Sequence, residues 1–122
     1  RTLLSKVAES GSRLTTTLLL KKGANVHSRD DGGRTSLSWV ASNRNDSGNR
    51  VIQCLLEEHA DIESRDNNGR TPLSWAAGEG RSQVVQCLIK KGANLDCRDD
   101  SGRTPLTWAR LGNHSGVLSH LL

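Results

Sequence analysis

Arg70-Thr71-Pro72-Leu73-Ser74-Trp75-Ala76-Ala77 is a phrase that the chain repeats. It occurs earlier as Arg34-Thr35-Ser36-Leu37-Ser38-Trp39-Val40-Ala41 and later as Arg103-Thr104-Pro105-Leu106-Thr107-Trp108-Ala109-Arg110. The tryptophans stand 36 and then 33 residues apart. Downstream, Val51-Ile52-Gln53-Cys54-Leu55-Leu56 matches Val84-Val85-Gln86-Cys87-Leu88-Ile89 at an offset of 33 residues. The three extra residues of the second unit therefore fall between Ala41 and Val51. A fainter copy opens the chain: Arg1-Thr2-Leu3-Leu4 matches Arg70-Thr71-Pro72-Leu73, and Lys21-Lys22-Gly23-Ala24-Asn25 matches Lys90-Lys91-Gly92-Ala93-Asn94. The spacing predicts four units in one domain, at about residues 1–29, 30–65, 66–98 and 99–122. A period in the thirties is the mark of a stacked array, because each unit can bury its apolar face only against a neighbour.

The third unit shows what one repeat encodes. Thr71 is placed to cap a helix with its hydroxyl, and Pro72 follows at the first helical position, where a missing N–H is harmless. Leu73, Ala76 and Ala77 make a short apolar stripe, and Gly78-Glu79-Gly80 ends the helix. Val84, Val85, Leu88 and Ile89 line one face of a second helix. Lys90 and Lys91 suit its negative C-terminal end, and Gly92 supplies a left-handed cap. Asn94 to Gly102 reads as a polar, hairpin-like turn. Helices of about two turns are marginal alone, so stacking must hold them.

Composition agrees with many small packing layers. Of 122 residues, 34% are hydrophobic, with 17 Leu and 3 Trp but no Phe, Tyr or Met. Phe and Met are the residues a single large core uses to fill irregular gaps. No apolar run approaches a membrane span of about 18 residues, and no targeting segment opens the chain. Three cysteines, Cys54, Cys87 and Cys97, are too few for a disulfide framework, and they suggest a reducing, intracellular (cytoplasmic or nuclear) setting. Net charge is +4, yet the longest basic run is two residues, so a nucleic-acid arm is not indicated.

Thr71-Pro72-Leu73-Ser74-Trp75-Ala76-Ala77, Val84-Val85…Leu88-Ile89 and Gly92-Ala93-Asn94-Leu95-Asp96 together resemble the ankyrin repeat, over essentially the whole chain. The resemblance implies an all-α solenoid of four helix-turn-helix units joined by β-hairpin-like turns. The fourth unit is truncated: Leu121-Leu122 correspond to Leu88-Ile89, which suggests a segment of a longer array, with a natural, partly capped four-repeat protein as the alternative. Two departures recur. The family's usual His after Pro-Leu is Ser38, Ser74 or Thr107, and Ser5 in the first unit. The next residue, usually Leu, is Trp39, Trp75 or Trp108. This Ser-Trp wording is similar to ankyrin arrays of filamentous fungi. The family position predicts that the three tryptophans pack into the core, with an exposed aromatic ladder as the alternative.

Two arginine columns stand out. Arg1, Arg34, Arg70 and Arg103 form one; Arg29, Arg65 and Arg98 form the other, each followed by Asp30, Asp66 or Asp99. An Arg–Asp ladder would brace the turns with bidentate hydrogen bonds; a site for carboxylate or phosphate groups is the alternative. The resemblance places the family's variable, concave recognition surface at the turn tips and first-helix ends. Here those are Asp31, Gly32, Arg34, Ser42 and Asn43; Asn67, Asn68, Arg70, Gly78 and Glu79; and Asp100, Ser101, Arg103, Arg110 and Leu111. Ser42 to Arg50, polar and Asn-rich, is expected to be an inter-helix loop, either neutral or a contact loop. His59 stands where Gly23 and Gly92 cap their helices and must adopt their left-handed backbone. Cys54, Cys87 and His120 share a column, but one repeat of rise is too far for a shared metal or a disulfide. Asn45-Asp46-Ser47 and Asn113-His114-Ser115 fit the glycosylation pattern, which an intracellular setting makes coincidental.

No phosphate-cradling loop, metalloprotease motif or nucleophile–base set occurs, so no enzyme activity, cofactor, metal or small-molecule substrate is expected. The expected function is non-enzymatic: a rigid concave surface that binds another protein, within a larger scaffold, receptor or signalling protein and beside flanking repeats of a parent chain. An architectural spacer without its own ligand, and weak anionic-ligand binding through the arginine columns, are the alternatives.

Overall fold

The computed structural model describes residues 2–10, 12–43 and 48–122. Among these residues there are eight helices and no strand. They form four hairpins: α1 (Leu3–Glu9) with α2 (Arg13–Lys21), α3 (Ser36–Ser42) with α4 (Gly48–Glu57), α5 (Pro72–Gly78) with α6 (Ser82–Lys90), and α7 (Pro105–Leu111) with α8 (Ser115–Leu121). α1, α3, α5 and α7 pack in one row, and α2, α4, α6 and α8 in a second.

Each first helix is seven residues long and starts on a threonine cap. The hydroxyls of Thr2, Thr35, Thr71 and Thr104 accept from the backbone N–H three residues on, at 3.1, 3.4, 3.3 and 3.3 Å. These bonds satisfy donors that a helix start otherwise leaves open. The core runs through the stack as Leu37, Val40 and Ala41, then Leu73, Ala76 and Ala77, flanked by Val51, Ile52 and Leu55 and by Val85 and Leu88. Burying each of the larger residues contributes about 1.5–3 kcal/mol. The second helices of the first three units end as expected, on left-handed residues: Gly23 at φ 96°, His59 at 71° and Gly92 at 92°.

Between units the chain forms short fingers. In each, the aspartate N–H donates to the carbonyl of the arginine four residues on: Asp30 to Arg34 at 3.1 Å, Asp66 to Arg70 at 3.0 Å and Asp99 to Arg103 at 3.0 Å. Neighbouring fingers are tied by Asn67 N–H to Gly32 O and Asp100 N–H to Asn68 O, both 3.0 Å.

Two sequence expectations need correction here. The tryptophans are half-buried and lie outside the core cluster. Leu73, Ala76 and Ala77 define the buried stripe, and Trp75 sits two residues from Leu73, about 200° around the helix. The Ser42–Arg50 loop is also shorter than expected. Ser42 closes α3, and Gly48, Asn49 and Arg50 form the first turn of α4, where polar residues cost little because that turn's N–H groups have no helical partner. Arg44, Asn45, Asp46 and Ser47, with the first glycosylation triplet, lie outside the described residues, as does Arg1 of the arginine column.

Candidate interaction surface

The fingers and first helices share one floor, built from Asp, Arg and Trp at fixed spacing. In each of the last three units the indole N–H donates to the aspartate nine residues earlier: Trp39 Nε1 to Asp30 Oδ2 at 2.7 Å, Trp75 to Asp66 at 2.9 Å and Trp108 to Asp99 at 2.9 Å. The other carboxylate oxygen closes the finger. Asp66 Oδ1 accepts from the N–H groups of Asn68 and Arg70, at 2.9 and 3.0 Å. Asp30 and Asp99 do the same in their own turns.

The arginines lie between the rings. The Arg34 guanidinium carbon is 3.8 Å from the ring centre of Trp39 and 3.8 Å from that of Trp75. Arg70 stands 3.8 Å from Trp75 and 3.6 Å from Trp108. Arg103 stands 5.0 Å from Trp108. A planar cation pressed on an indole face is attracted by the ring's negative quadrupole, by about 0.5–2 kcal/mol depending on exposure. Each of the first two arginines thus bridges two units. Arg34 is also fixed edge-on: Nε donates to Ser38 Oγ at 2.9 Å, and Nη2 to Ser38 O at 2.9 Å and Ser42 Oγ at 2.8 Å. Arg70 Nη2 donates to Ser74 O at 3.1 Å. Its Nε is buried without a partner, because Ser74 Oγ turns to donate to Thr71 O at 3.0 Å. Burial pushes the Arg70 pKa down against the pull of Asp66, Asp99 and Glu79. The guanidinium remains charged at any physiological pH.

The second arginine column works differently from the expected Arg–Asp ladder. Arg29 Nη1 donates to the Arg65 carbonyl, and Arg65 Nη2 to the Arg98 carbonyl. The aspartates are already taken by indoles and finger N–H groups. Backbone carbonyls of the next finger are the acceptors left within reach. These links tie one finger to the next, whereas Ser74, at the family's histidine position, bonds only within its own unit among the described residues.

The candidate recognition residues divide into engaged and open ones. Arg34 and Arg70 are half-buried in the floor. Ser42 Oγ accepts from Arg34 and donates to Trp39 O at 3.1 Å. Asn43 Nδ2 donates to Glu9 O, across to the first unit. Asn67 Nδ2 donates to Asp31 O at 2.9 Å, which makes it a finger-to-finger tie. Gly78 O accepts from His114 Nε2 at 2.9 Å, and the Glu79 carbonyl accepts twice from Arg81. Asp31, Asn68, Asp100, Ser101, Arg103, Arg110 and Leu111 are exposed.

The sequence reading missed Asp30, Asp66 and Asp99 as indole acceptors. The signal was present: aspartate, arginine and tryptophan keep spacings of four and five residues in all three units. Elsewhere, Cys54 Sγ lies 3.1 Å from Thr17 Oγ1. Among the described residues no three His, Cys, Asp or Glu side chains cluster to hold a metal ion, and no helix is long and apolar enough to cross a membrane.

No curated protein matches the sequence. A family model described as ankyrin repeats (3 copies) matches residues 39–122.

Proposed function

The chain belongs to the ankyrin-repeat family, whose repeats are generally protein–protein interaction modules, and from this premise we propose that it binds a partner protein through its fingers and first helices. The observation that carries the proposal is the interlocked floor. Arg34 and Arg70 each clamp two tryptophans from adjacent units, and the fingers are hydrogen-bonded to one another. A surface ordered before contact loses little conformational entropy on binding, so more of the contact energy appears as affinity. The exposed tips vary on this constant frame: one tip position holds Gly32, Asn68 or Ser101, and the one before it holds Asp31, Asn67 or Asp100. Such a module works without catalysis, as a concave recognition segment of a larger intracellular scaffold, receptor or signalling protein.

An anionic-ligand role for the arginine columns has less support, since Arg29 and Arg65 donate to neighbouring carbonyls and Arg34 to Ser38 and Ser42. The test is capture by the immobilised chain against a variant with Asn68, Glu79, Asp100 and Ser101 changed to alanine and its helicity checked by circular dichroism. A partner held by the wild type and lost by the variant is the expected result. If no partner is lost by the variant, the reading of the fingers as the binding surface fails and the spacer reading gains. Affinity that collapses steeply with added salt would favour the anionic reading instead.

A further inference from the structure

We infer that Asn68-Gly69 is a self-modifying site, where the chain closes a ring on itself and then takes up water, at a rate set by how often its finger opens. It is the one Asn-Gly pair of the sequence. The fold fixes the glycine. Gly69 has φ 77°, and a Cβ there would lie 2.7 Å from Asp100 Oδ1 and 3.0 Å from Asp100 N. A glycine is also what leaves a backbone nitrogen open to the side chain before it. Gly33 and Gly102 hold the same place in the neighbouring fingers, but they follow Gly32 and Ser101, which carry no carboxamide. Asn68 is exposed, and its side-chain amide makes no hydrogen bond among the described residues. Other asparagines of the turns are held. Asn25 Oδ1 and Asn94 Oδ1 accept from the N–H groups of His27 and Asp96, and Asn67 Nδ2 donates to Asp31 O, each at 2.9 Å.

The chemistry needs only water. The Gly69 nitrogen gives up its proton and bonds to Asn68 Cγ, while Nδ2 takes up a proton and leaves as ammonia. Water then opens the succinimide. Attack at Cγ releases the Gly69 nitrogen and leaves aspartate; attack at the residue-68 carbonyl carbon leaves isoaspartate, with the chain running through the former side chain. The folded finger restrains the first step. Gly69 N–H donates to Asp66 O at 2.9 Å, Asn68 N–H to Asp66 Oδ1 at 2.9 Å, and Asn68 O accepts from Asp100 N–H at 3.0 Å. The nitrogen must leave its acceptor before the ring can close, so the rate follows the population of opened fingers. Either product adds a carboxylate to a row of tips that already exposes Asp31 and Asp100. Isoaspartate also lengthens the finger by one backbone atom and turns the carbonyl that holds Asp100 into a free carboxylate, which unhooks this finger from the next. The chemistry stands without the protein-binding reading; an effect on recognition would rest on it.

The test incubates the chain in warm, mildly alkaline buffer beside acetyl-Arg-Asp-Asn-Asn-Gly-Arg-Thr-amide, and follows tryptic peptide 66–70 by mass spectrometry, with fragmentation to place the change. Asn68 should convert in the chain at least roughly tenfold more slowly than in the peptide, yet ahead of Asn25, Asn67 and Asn94. Asp66→Ala removes the acceptor of the Asn68 and Arg70 N–H groups and should speed the conversion several-fold. Urea below the unfolding transition should do the same without a substitution. The purified isoaspartate form should melt below Asn68→Asp, whose backbone is unaltered. Conversion as fast as in the peptide, no acceleration in either loosened form, or conversion of Asn67 instead would each overturn the proposal, and equal melting of the two products would overturn the unhooking. None of these readouts involves a partner, so this proposal and the capture experiment can fail separately.

Discussion

At the residue scale, one aspartate accepts three hydrogen bonds in each finger. Asp99 accepts from Trp108 through one oxygen and from Ser101 and Arg103 N–H groups through the other. Burial pushes its carboxyl pKa up; the bonds from Arg103, Trp108 and Ser101 and the Arg103 charge outweigh that and hold it below the usual carboxylate range. Asp30 is lowered in the same way, with burial opposed by bonds from Arg34, Trp39 and Gly32. The sign follows: the unfolded chain, with an aspartate pKa of about 3.9, takes up the proton first as pH falls. The stability from these two groups is complete at neutral pH, begins to fade near pH 4, and is lost as pH drops through the lower folded values. Thermal midpoints of the wild type and of Asp99→Asn between about pH 2 and 7 check this. The variant should be less stable at neutral pH and show a shallower acid limb. Parallel limbs in the two proteins would remove Asp99 from the account. This pattern was only half legible in sequence. The Trp column was plain, but its direction was taken from the family's leucine rather than from the helix angle relative to Leu73 and Ala77.

At the scale of elements, the first helices were legible nearly to the residue because each has its own start and stop signals: threonine, a proline in the third and fourth units, and an apolar pair one turn on. The second helix of the second unit was less so. Its polar first turn, Gly48 to Arg50, carries no apolar periodicity and reads as loop. The fingers were legible as turns but not as a connected row, because their ties run through backbone groups that no side-chain pattern announces. Glycine reveals the connection. Gly69 and Gly102 have the same backbone, φ 77° and 78°, where any other residue is strained by about 1 kcal/mol. A Cβ at Gly69 would also lie 2.7 Å from Asp100 Oδ1 and 3.0 Å from Asp100 N, whereas at Gly102 it would meet nothing within 4 Å. Gly102→Ala should therefore cost about 1 kcal/mol, and Gly69→Ala distinctly more, since the backbone of the next finger must move. Urea unfolding of both variants measures the difference, and equal losses would mean that the fingers are independent turns.

Across the whole molecule, stability is shared out by neighbours. In such a stack each unit's free energy is its own plus the interfaces it makes, and inner units make two. The second helices show the gradient. α4 fully buries Val51, Ile52 and Leu55, and α6 Val85 and Leu88, whereas α2 fully buries only Thr16, with Leu14 86% and Leu18 52% exposed. The threonines at Thr15, Thr16 and Thr17 stand where α6 has Val84, Val85 and Gln86. Thr16 satisfies its hydroxyl by donating to Ser12 O at 2.7 Å, which settles the polar group but adds little apolar burial. α8 fully buries only Val117. Both outer second helices should then open without the rest. Amide hydrogen exchange of the 122-residue chain is expected to rank accordingly: Leu55 and Leu88 slowest, by global unfolding, and the last turns of α2 and α8 fastest among helical amides, by local opening. The ladder couples the middle, since Arg34 and Arg70 join three successive units through Trp39, Trp75 and Trp108. Arg70→Ala should therefore speed exchange in α5 and α7 together while leaving α2 unchanged. If the variant instead lowers protection evenly along the chain, the four units unfold as one body and the neighbour-by-neighbour account fails.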